Sequence, residues 1–203
     1  MGKFTSYIEE TRKAAKEHVF RDFIPTTESF GSIQIVDWRN KNGSKEGAIR
    51  FLFDNAEKYL HISGDYGSAI LDLHSFSEVS LKTVGILTDI GYLKGKIKCS
   101  TDLYIYDEEL ARKDIEERLL SEQFAGKLSD EEISERKDFI SELMEDFTIS
   151  GIQLGHSEKQ ILSEYDRMYW EWIYDAGKKI AGRVIYWFTA LNMMYDLYYK
   201  EEK

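Results

Sequence analysis

A change of hydrophobic period near Ser77 constrains the fold of this chain more than any other feature. Before Ser77, short runs rich in β-branched and aromatic residues alternate with polar residues, which is typical of strands with one buried face. After Ser77, apolar residues recur every three or four positions, which is typical of amphipathic helices. The apolar face of such a sheet must pack against other elements, and the helices predicted after Ser77 can provide that packing. The two halves therefore predict an α+β fold.

The first half of the chain predicts one helix followed by a small sheet. Residues 3–22 have helical spacing, and the only proline, Pro25, ends this helix. Four β-type runs with short connections then predict a four-stranded antiparallel meander. These runs are residues 32–39, 48–53, 59–63 and 68–74.

The second half predicts a mostly helical segment that contains an acidic helical hairpin. Asp107 is placed to cap the first helix of the hairpin, and Gly126 is placed to stop it. Ser129 and Glu132 have the spacing of a capping box at the start of the second helix. Further helices are predicted at residues 77–93, 157–172 and 180–199.

Length and composition predict a cytoplasmic protein that does not enter a membrane. No linker rich in proline, glycine or serine divides the chain, so we expect one compact domain with an N-terminal helix and sheet lobe at residues 1–100 and a helical lobe at 101–203. The single cysteine excludes an intramolecular disulfide and fits a reducing compartment. The N-terminal sequence lacks the apolar region of a secretion signal, and the longest apolar stretch is too polar to span a bilayer.

The whole net charge of the chain lies in the predicted hairpin. The chain has 37 Asp and Glu against 27 Lys and Arg, and residues 102–147 alone contain 16 against 6. Such a surface repels nucleic acid, so we expect no direct DNA binding, and it attracts proteins with basic grooves. The alternative is an ordinary solvated face, because acidic residues in a first helical turn oppose the macrodipole favourably. The predicted partner-binding residues are Asp107, Glu108, Glu109, Asp114, Glu116, Glu117, Asp130, Glu131, Glu135, Asp138 and Glu142.

Four polar residues of the predicted meander form a second candidate site. Residues 64–67 predict a turn, and counting back from it pairs Tyr59 with Asp72. Tyr59, His61, Asp72 and His74 would then share one face of the sheet. A histidine oriented by an aspartate beside a tyrosine hydroxyl could perform acid–base chemistry on a phosphodiester. The alternative is a set of polar side chains on the solvated face of a half-buried sheet.

The sequence contains no metal-ligand motif and no cofactor fingerprint. The spacings of zinc proteases, calcium loops and phosphate-binding loops do not occur. We therefore expect neither a metal nor a cofactor. In the C-terminal segment, core-helix spacing is shown by Val184, Trp187, Phe188, Leu191, Met194 and Tyr195, with homo-oligomerisation through this C-terminal helix as the alternative.

Blocks of sequence along nearly the whole chain carry a family resemblance. They are EHVFRDFIP at residues 17–25, SIQIVDWRNKNGS at 32–44, FLFDN at 51–55, YLHISGDYGSAI at 59–70, GKIKCSTDLYIYDEELARKDI at 95–115 and RVIYWFTALNMMYDLYYK at 183–200. In these blocks the chain resembles a family of proteins from phages, prophages and plasmids of low-GC Gram-positive bacteria. Small acidic proteins of this type resemble inhibitors of host defence, above all anti-CRISPR proteins that act on type II effector nucleases.

The resemblance implies a host-defence inhibitor whose partner is a bacterial defence nuclease or its ribonucleoprotein complex. An RNA-guided nuclease holds guide and target in positively charged channels, and an acidic helical hairpin is suited to fill such a channel. Two alternatives stay open. The protein could be a nuclease-like enzyme that truncates the guide RNA through the second candidate site. It could also be a non-enzymatic phage accessory or assembly protein.

Overall fold

The computed structural model describes residues 3–200 and divides into two units. Unit 1 comprises Met1–Leu103 together with Ala181–Lys203, and unit 2 comprises Tyr104–Ile180. These units and the lobes predicted from the sequence share a boundary near residue 100. They differ in the closing segment, which groups with the N-terminal half of the chain.

An N-terminal helix opens unit 1, as the sequence predicts. Helix α1 runs from Lys3–Ala14 and continues as a π-helical turn at Ala15–Val19. The turn ends at Phe20, whose fully buried ring makes edge contacts with Phe23 and Trp38. The chain therefore leaves the helix slightly earlier than predicted, where an aromatic side chain enters the core.

A six-stranded antiparallel sheet follows, with its strands neighbouring one another in chain order. The fold class, mixed helix and sheet, is thus as predicted. The strands are β1 (Phe23–Phe30), β2 (Ile33–Asn40), β3 (Ile49–Asp54), β4 (Tyr59–Gly64), β5 (Ala69–Asp72) and β6 (Ile97–Ser100).

The predicted number of four strands is wrong, because the sequence analysis missed both edge strands. Strand β1 contains Pro25, which has no backbone N–H. An edge strand tolerates proline because it has a hydrogen-bonded neighbour on one side only. Strand β6 pairs with β5 across two intervening helices, with a register shift between Ile70 and Leu71. A local pattern cannot reveal a partner that lies so far along the chain.

The single helix predicted at residues 77–93 is two short helices. Helix α2 runs from Leu81–Val84, and helix α3 runs from Ile90–Gly95. The side chain of Asp89 restarts the helix by accepting a hydrogen bond of 3.1 Å from the N–H of Tyr92. Because Asp89 acts as an N-cap in the middle of the predicted range, residues 77–93 do not form one continuous helix.

Unit 2 is built from helices and two short β-pairs. Strands β7 and β10 pair with each other and join the two ends of the unit, while β8 and β9 form a hairpin. Two 3₁₀ turns, at Tyr169–Glu171 and Ile173–Asp175, precede β10. The elements are β7 (Tyr104–Tyr106), α4 (Glu108–Leu120), α5 (Glu122–Ala125), α6 (Asp130–Glu145), β8 (Phe147–Thr148), β9 (Gly151–Ile152), α7 (His156–Tyr165) and β10 (Lys178–Ile180).

Helices α4 and α6 form the predicted acidic hairpin and pack against each other. Asp107 caps α4 through a hydrogen bond of 2.9 Å from the N–H of Leu110. Gly126, at φ 74°, follows α5, and Ser129 and Glu132 form the predicted capping box of α6. The core of the unit consists of Ala111, Ile115, Leu119, Phe139, Ile140, Leu143, Met144, Ile152, Leu162, Ile173 and Ala176.

Helix α8 (Gly182–Tyr199) belongs to unit 1 and contacts α1, α2 and α3. The side chain of Asn192 donates to the carbonyls of Gly85 and Leu87 at 2.7 and 2.8 Å. A Cβ at Gly85 would lie 2.8 Å from that of Tyr195, so glycine permits this close approach. The core of unit 1 includes Trp38, Phe51, Phe53, Leu60, Leu71, Trp187, Phe188, Leu191 and Met194.

Candidate functional site

The outward face of α6 carries an uninterrupted row of carboxylates. Its members are spaced four, three, four and three positions apart, so they follow one line along the helix. Within α6, no lysine or arginine lies three or four positions from any of them. Each is exposed, and none forms a salt bridge with another described residue. The row, called the α6 stripe below, consists of Glu131, Glu135, Asp138, Glu142 and Glu145.

The opposite face of α6 is buried, and this fixes the direction of the stripe. Arg136 belongs to that inner side. It donates from Nη1 to the carbonyl of Leu119 at 2.8 Å, and its guanidinium lies 4.6 Å from the centre of the Tyr165 ring. It therefore does not neutralise the stripe. The buried residues of the helix are Phe139, Ile140, Leu143 and Met144, each at most 6% exposed.

Five predicted partner-binding residues lie on α6, and four of these belong to the stripe. The fifth, Asp130, is exposed in the first turn of the helix. The sequence analysis missed Glu145, which completes the stripe. The signal was present, because Glu145 follows Glu142 by three positions and continues the same spacing.

Helix α4 uses two of its predicted partner-binding carboxylates to hold unit 2 together. Asp107 accepts hydrogen bonds from the N–H of Leu110 at 2.9 Å and from Nζ of Lys179 at 2.6 Å. These contacts, the lysine first, hold the pKa of Asp107 below its ordinary value. Oδ2 of Asp114 accepts a hydrogen bond of 2.9 Å from the N–H of Gly177. Asp107 thus joins the start of α4 to β10, and Asp114 joins the middle of α4 to the residue just before β10.

The remaining carboxylates of α4 alternate with cations. Lys113 lies four positions from both Glu109 and Glu117, and Arg112 lies four positions from Glu108 and Glu116. Opposite charges at this spacing attract each other on a helix surface. The outward face of α4 is therefore partly neutralised, in contrast to that of α6.

The second candidate site forms with the predicted strand register, in which Tyr59 pairs with Asp72. Oδ1 of Asp72 lies 2.6 Å from Nδ1 of His74, and the N–H of His74 donates to the same oxygen at 3.1 Å. The other oxygen lies 3.3 Å from Nζ of Lys98. These contacts, above all the side-chain hydrogen bond with His74, lower the pKa of Asp72 to about 2. Lys98 was missed because it lies on the missed strand β6.

The ring of Tyr59 lies between the two histidines of this cluster. Its centre is 5.2 Å from that of His74 and 6.2 Å from that of His61, with both contacts edge-on. Asp72 therefore orients His74 rather than His61. A histidine paired with a carboxylate can take up or release a proton. The side chains of His74 and Lys98 are 58% and 65% exposed, so water competes for every contact of the cluster.

Helix α8 is a core element, as its aromatic spacing predicts. Most of its aromatic and aliphatic side chains are buried in unit 1. Its exposed large apolar residues are Leu197 and Tyr198, at 43% and 39%. Homo-oligomerisation through this helix stays a prediction, and the last turn is the part of α8 that offers it a surface.

Membrane-spanning helices and metal-binding groups are both absent from residues 3–200. No helix in this range is long and apolar enough to cross a membrane. No group of three or more His, Cys, Asp or Glu side chains in the described part of the chain is arranged to hold a metal ion.

Comparison with known proteins assigns no family to the chain. No protein-family model matches it, and no curated protein or solved structure matches it significantly. The resemblance to proteins of phages, prophages and plasmids, drawn from the sequence blocks, therefore stays a prediction.

Proposed function

We propose that this protein is a binding protein that presents the α6 stripe to a basic, nucleic-acid-binding groove of a partner protein. The observation that supports the proposal is the row of five exposed carboxylates with no lysine or arginine three or four positions away along α6. Each like-charged pair at this spacing destabilises a helix by about 0.2–0.5 kcal/mol, so the stripe costs about 1–2 kcal/mol. A surface that lowers stability in this way is expected where binding requires it.

The dimensions of the stripe suit a groove that holds a nucleic-acid strand. With a rise of about 1.5 Å per residue, the stripe from Glu131 to Glu145 extends about 20 Å along α6. Its five charges lie about 5 Å apart on average, compared with about 3.4 Å of axial rise per phosphate in one DNA strand. Carboxylates at this spacing can form salt bridges with lysine and arginine side chains that otherwise bind phosphates.

The resemblance to proteins of mobile elements makes a bacterial defence nuclease the first partner to test. An anti-CRISPR protein acting in the host cytoplasm would fill the basic guide or target channel of a type II effector. Blocking guide loading and blocking target-DNA entry both follow from the same surface. The order of addition in a cleavage assay separates them.

The first experiment compares two variants with the same change of charge. One carries Glu131→Gln, Glu135→Gln, Asp138→Asn and Glu142→Gln in the stripe. The control carries four neutralised carboxylates of α4 and α5, at Glu108, Glu109, Glu116 and Glu122.

Binding to a purified type II effector is measured by calorimetry with and without guide RNA at several salt concentrations. We expect the stripe variant to lose at least about tenfold in affinity, since several charge pairs disappear, and to lose most of the salt dependence. We expect the control to lose less than about threefold. Equal losses in the two variants would contradict a role specific to α6.

A plasmid-cleavage assay gives the functional readout. The protein is added before or after guide loading, and the guide is then examined on a denaturing gel. Loss of DNA cleavage with an intact guide supports stoichiometric inhibition. Unaltered cleavage with several effectors would contradict the choice of partner.

A nuclease-like activity is the second candidate function, and the contact between His74 and Asp72 favours it. His74, oriented by Asp72, would take the proton of an attacking hydroxyl as its oxygen bonds to phosphorus, and Lys98 would stabilise the phosphodiester charge. The P–O bond to the leaving 5′-oxygen would break, and that oxygen would take a proton from water. A shortened guide on the denaturing gel would support this candidate. His74→Ala should then abolish guide truncation, while His61→Ala, which lacks the contact with Asp72, should retain most of it.

A further inference from the structure

Unit 2 contains a pocket between α4, α5 and the 3₁₀ turns that precede β10. Its volume is about 290 Å³. Three carboxylates, one guanidinium and two aromatic rings form its lining, which we call the α4 pocket. The side chains are Asp114, Glu117, Arg118, Phe124, Trp172 and Asp175.

The two rings of the α4 pocket already hold a cation of the same chain. The guanidinium carbon of Arg118 lies 4.3 Å from the centre of the Phe124 ring and 5.7 Å from that of Trp172. Trp172 is fixed by a hydrogen bond of 2.7 Å from its indole N–H to Asp166. Phe124 is 44% exposed, so one ring of the pair is accessible from solvent. The rings thus have the spacing and accessibility of a cation–π site.

The carboxylates of the pocket keep oxygens that can accept further hydrogen bonds. Asp114 uses Oδ2 for the N–H of Gly177, and Asp175 uses Oδ1 for Lys178. Within the described part of the chain, Arg118 forms no salt bridge with any of the three carboxylates. The lining has three negative charges and one positive charge, and its indole N–H already donates to Asp166. It therefore complements an organic cation.

We propose that the α4 pocket binds an arginine side chain of the protein partner. A guanidinium is planar, so it can stack flat on Phe124 while two N–H groups of its edge donate to Glu117 and Asp175, whereas a lysine ammonium has no planar face to stack on the ring. This inference rests on the proposed function, because it names the residue type that anchors the same acidic hairpin on a basic groove. Arginines and aromatic residues are the usual centres of binding energy in such interfaces.

Arg118 competes with the incoming guanidinium for the same rings. Removing its charge should therefore strengthen binding, which is the opposite of what most substitutions in a binding site do. We expect Arg118→Gln to raise the affinity for an arginine probe about two- to fivefold, the effect of one exposed cation–π contact.

The test follows the indole N–H signal of Trp172 by NMR. N-acetyl-arginine amide and N-acetyl-lysine amide are titrated separately into the full-length protein at constant ionic strength, and Trp172→Phe identifies the signal. We expect the arginine probe to shift this signal at concentrations at which the lysine probe does not. Phe124→Ala and Glu117→Gln should weaken the arginine response, whereas Glu109→Gln, with the same change of charge on α4, should leave it unaltered.

The outcomes distinguish a failure of the pocket from a failure of the proposed function. Equal responses to the two probes, or no effect of Phe124→Ala, would overturn the pocket even where the stripe variant loses partner binding. An arginine-specific response that Phe124→Ala removes supports the pocket, even where no effector binds. Where an effector does bind, Phe124→Ala and Glu117→Gln should each weaken that complex about three- to tenfold, as expected for a central arginine contact.

Discussion

Helices α4 and α6 pack on the same core, yet they present different surfaces to solvent. Helix α4 contains five acidic and three basic residues, and α6 contains seven and two. Asp107, the cap of α4, is hydrogen-bonded to Lys179 of β10, and Asp114 to Gly177 just before β10. Arg112 and Lys113 alternate with the other carboxylates of α4. In α6, the stripe has no such partner.

The difference shows that a count of charges does not locate a binding surface. Carboxylates of α4 form hydrogen bonds with other segments of unit 2, whereas those of the α6 stripe face solvent without a salt bridge to a described residue. What distinguishes them is where the rest of the chain places its donors and cations. Because α4 and α6 share a core but differ in surface charge, matched substitutions in the two helices should have similar effects in the core and different effects on the surface.

The largest expected effect concerns what the two helices have in common. Leu119 of α4 and Leu143 of α6 are both at most 1% exposed in the shared core. Truncating either to alanine should lower the free energy of unfolding by about 2–4 kcal/mol, through lost burial and the cavity that remains. Urea denaturation of the two variants checks this. A cost below about 1 kcal/mol at one position would show that the two helices do not share the core equally.

The next effect concerns the start of α4. Asp107→Ala should lower the free energy of unfolding by about 1–2 kcal/mol, because the cap of Leu110 and the contact with Lys179 are both lost. Asp107→Asn keeps a capping oxygen and should cost less. Thermal unfolding of the two variants separates the cap from the ion pair. Equal costs would mean that the charge accounts for the whole effect and that the capping oxygen contributes nothing.

A smaller effect of opposite sign is expected in the stripe. Glu135→Lys replaces repulsion with attraction toward Glu131 and Asp138, so it should raise the free energy of unfolding by about 0.5–1 kcal/mol. The matched change Lys113→Glu in α4 should lower it by a similar amount. The same Glu135→Lys variant should bind a basic partner more weakly. A loss of stability in Glu135→Lys would contradict the view that the stripe lowers stability.

The smallest expected effect is a pH dependence of the free energy of unfolding, which arises from the capping residues at the starts of α4 and α6. Hydrogen bonds from the backbone and hydroxyl of Ser129 lower the pKa of Glu132 from its ordinary 4.5, and Lys179 and Leu110 lower that of Asp107 from 3.8. A lowered folded pKa means that the contribution is complete above the ordinary value and is lost as pH falls through the folded pKa.

Denaturation of the wild type, Glu132→Gln and Asp107→Asn between pH 6 and pH 2 tests this. The difference in unfolding free energy between wild type and Glu132→Gln should shrink below about pH 4.5, and that for Asp107→Asn below about pH 3.8, the ordinary values of the two groups. Differences that stay constant down to pH 2 would show that neither ionised carboxylate stabilises its helix.

Local patterns predicted those parts of the fold that local interactions control. The caps at Asp107 and Ser129 were visible in the sequence because each depends on a backbone N–H three residues away. The pairing of Tyr59 with Asp72 was visible because the short turn at residues 64–67 sets the register of its two strands. Strands β1 and β6 were not, because an edge strand is defined by its partner. The helix predicted at residues 77–93 likewise missed the cap at Asp89, which separates α2 from α3.

The candidate sites follow the same division. The spacing of Glu131, Glu135, Asp138 and Glu142 on one helix face was readable from the chain alone, because 3.6 residues per turn fix which side chains align. Only the tertiary structure decided that the carboxylates of Asp107 and Asp114 form hydrogen bonds within unit 2. It also decided that Phe124 of α5 and Trp172 of the 3₁₀ segment both contact Arg118. The physical reason is that these contacts join segments separated along the chain, and such pairings depend on how the whole unit packs.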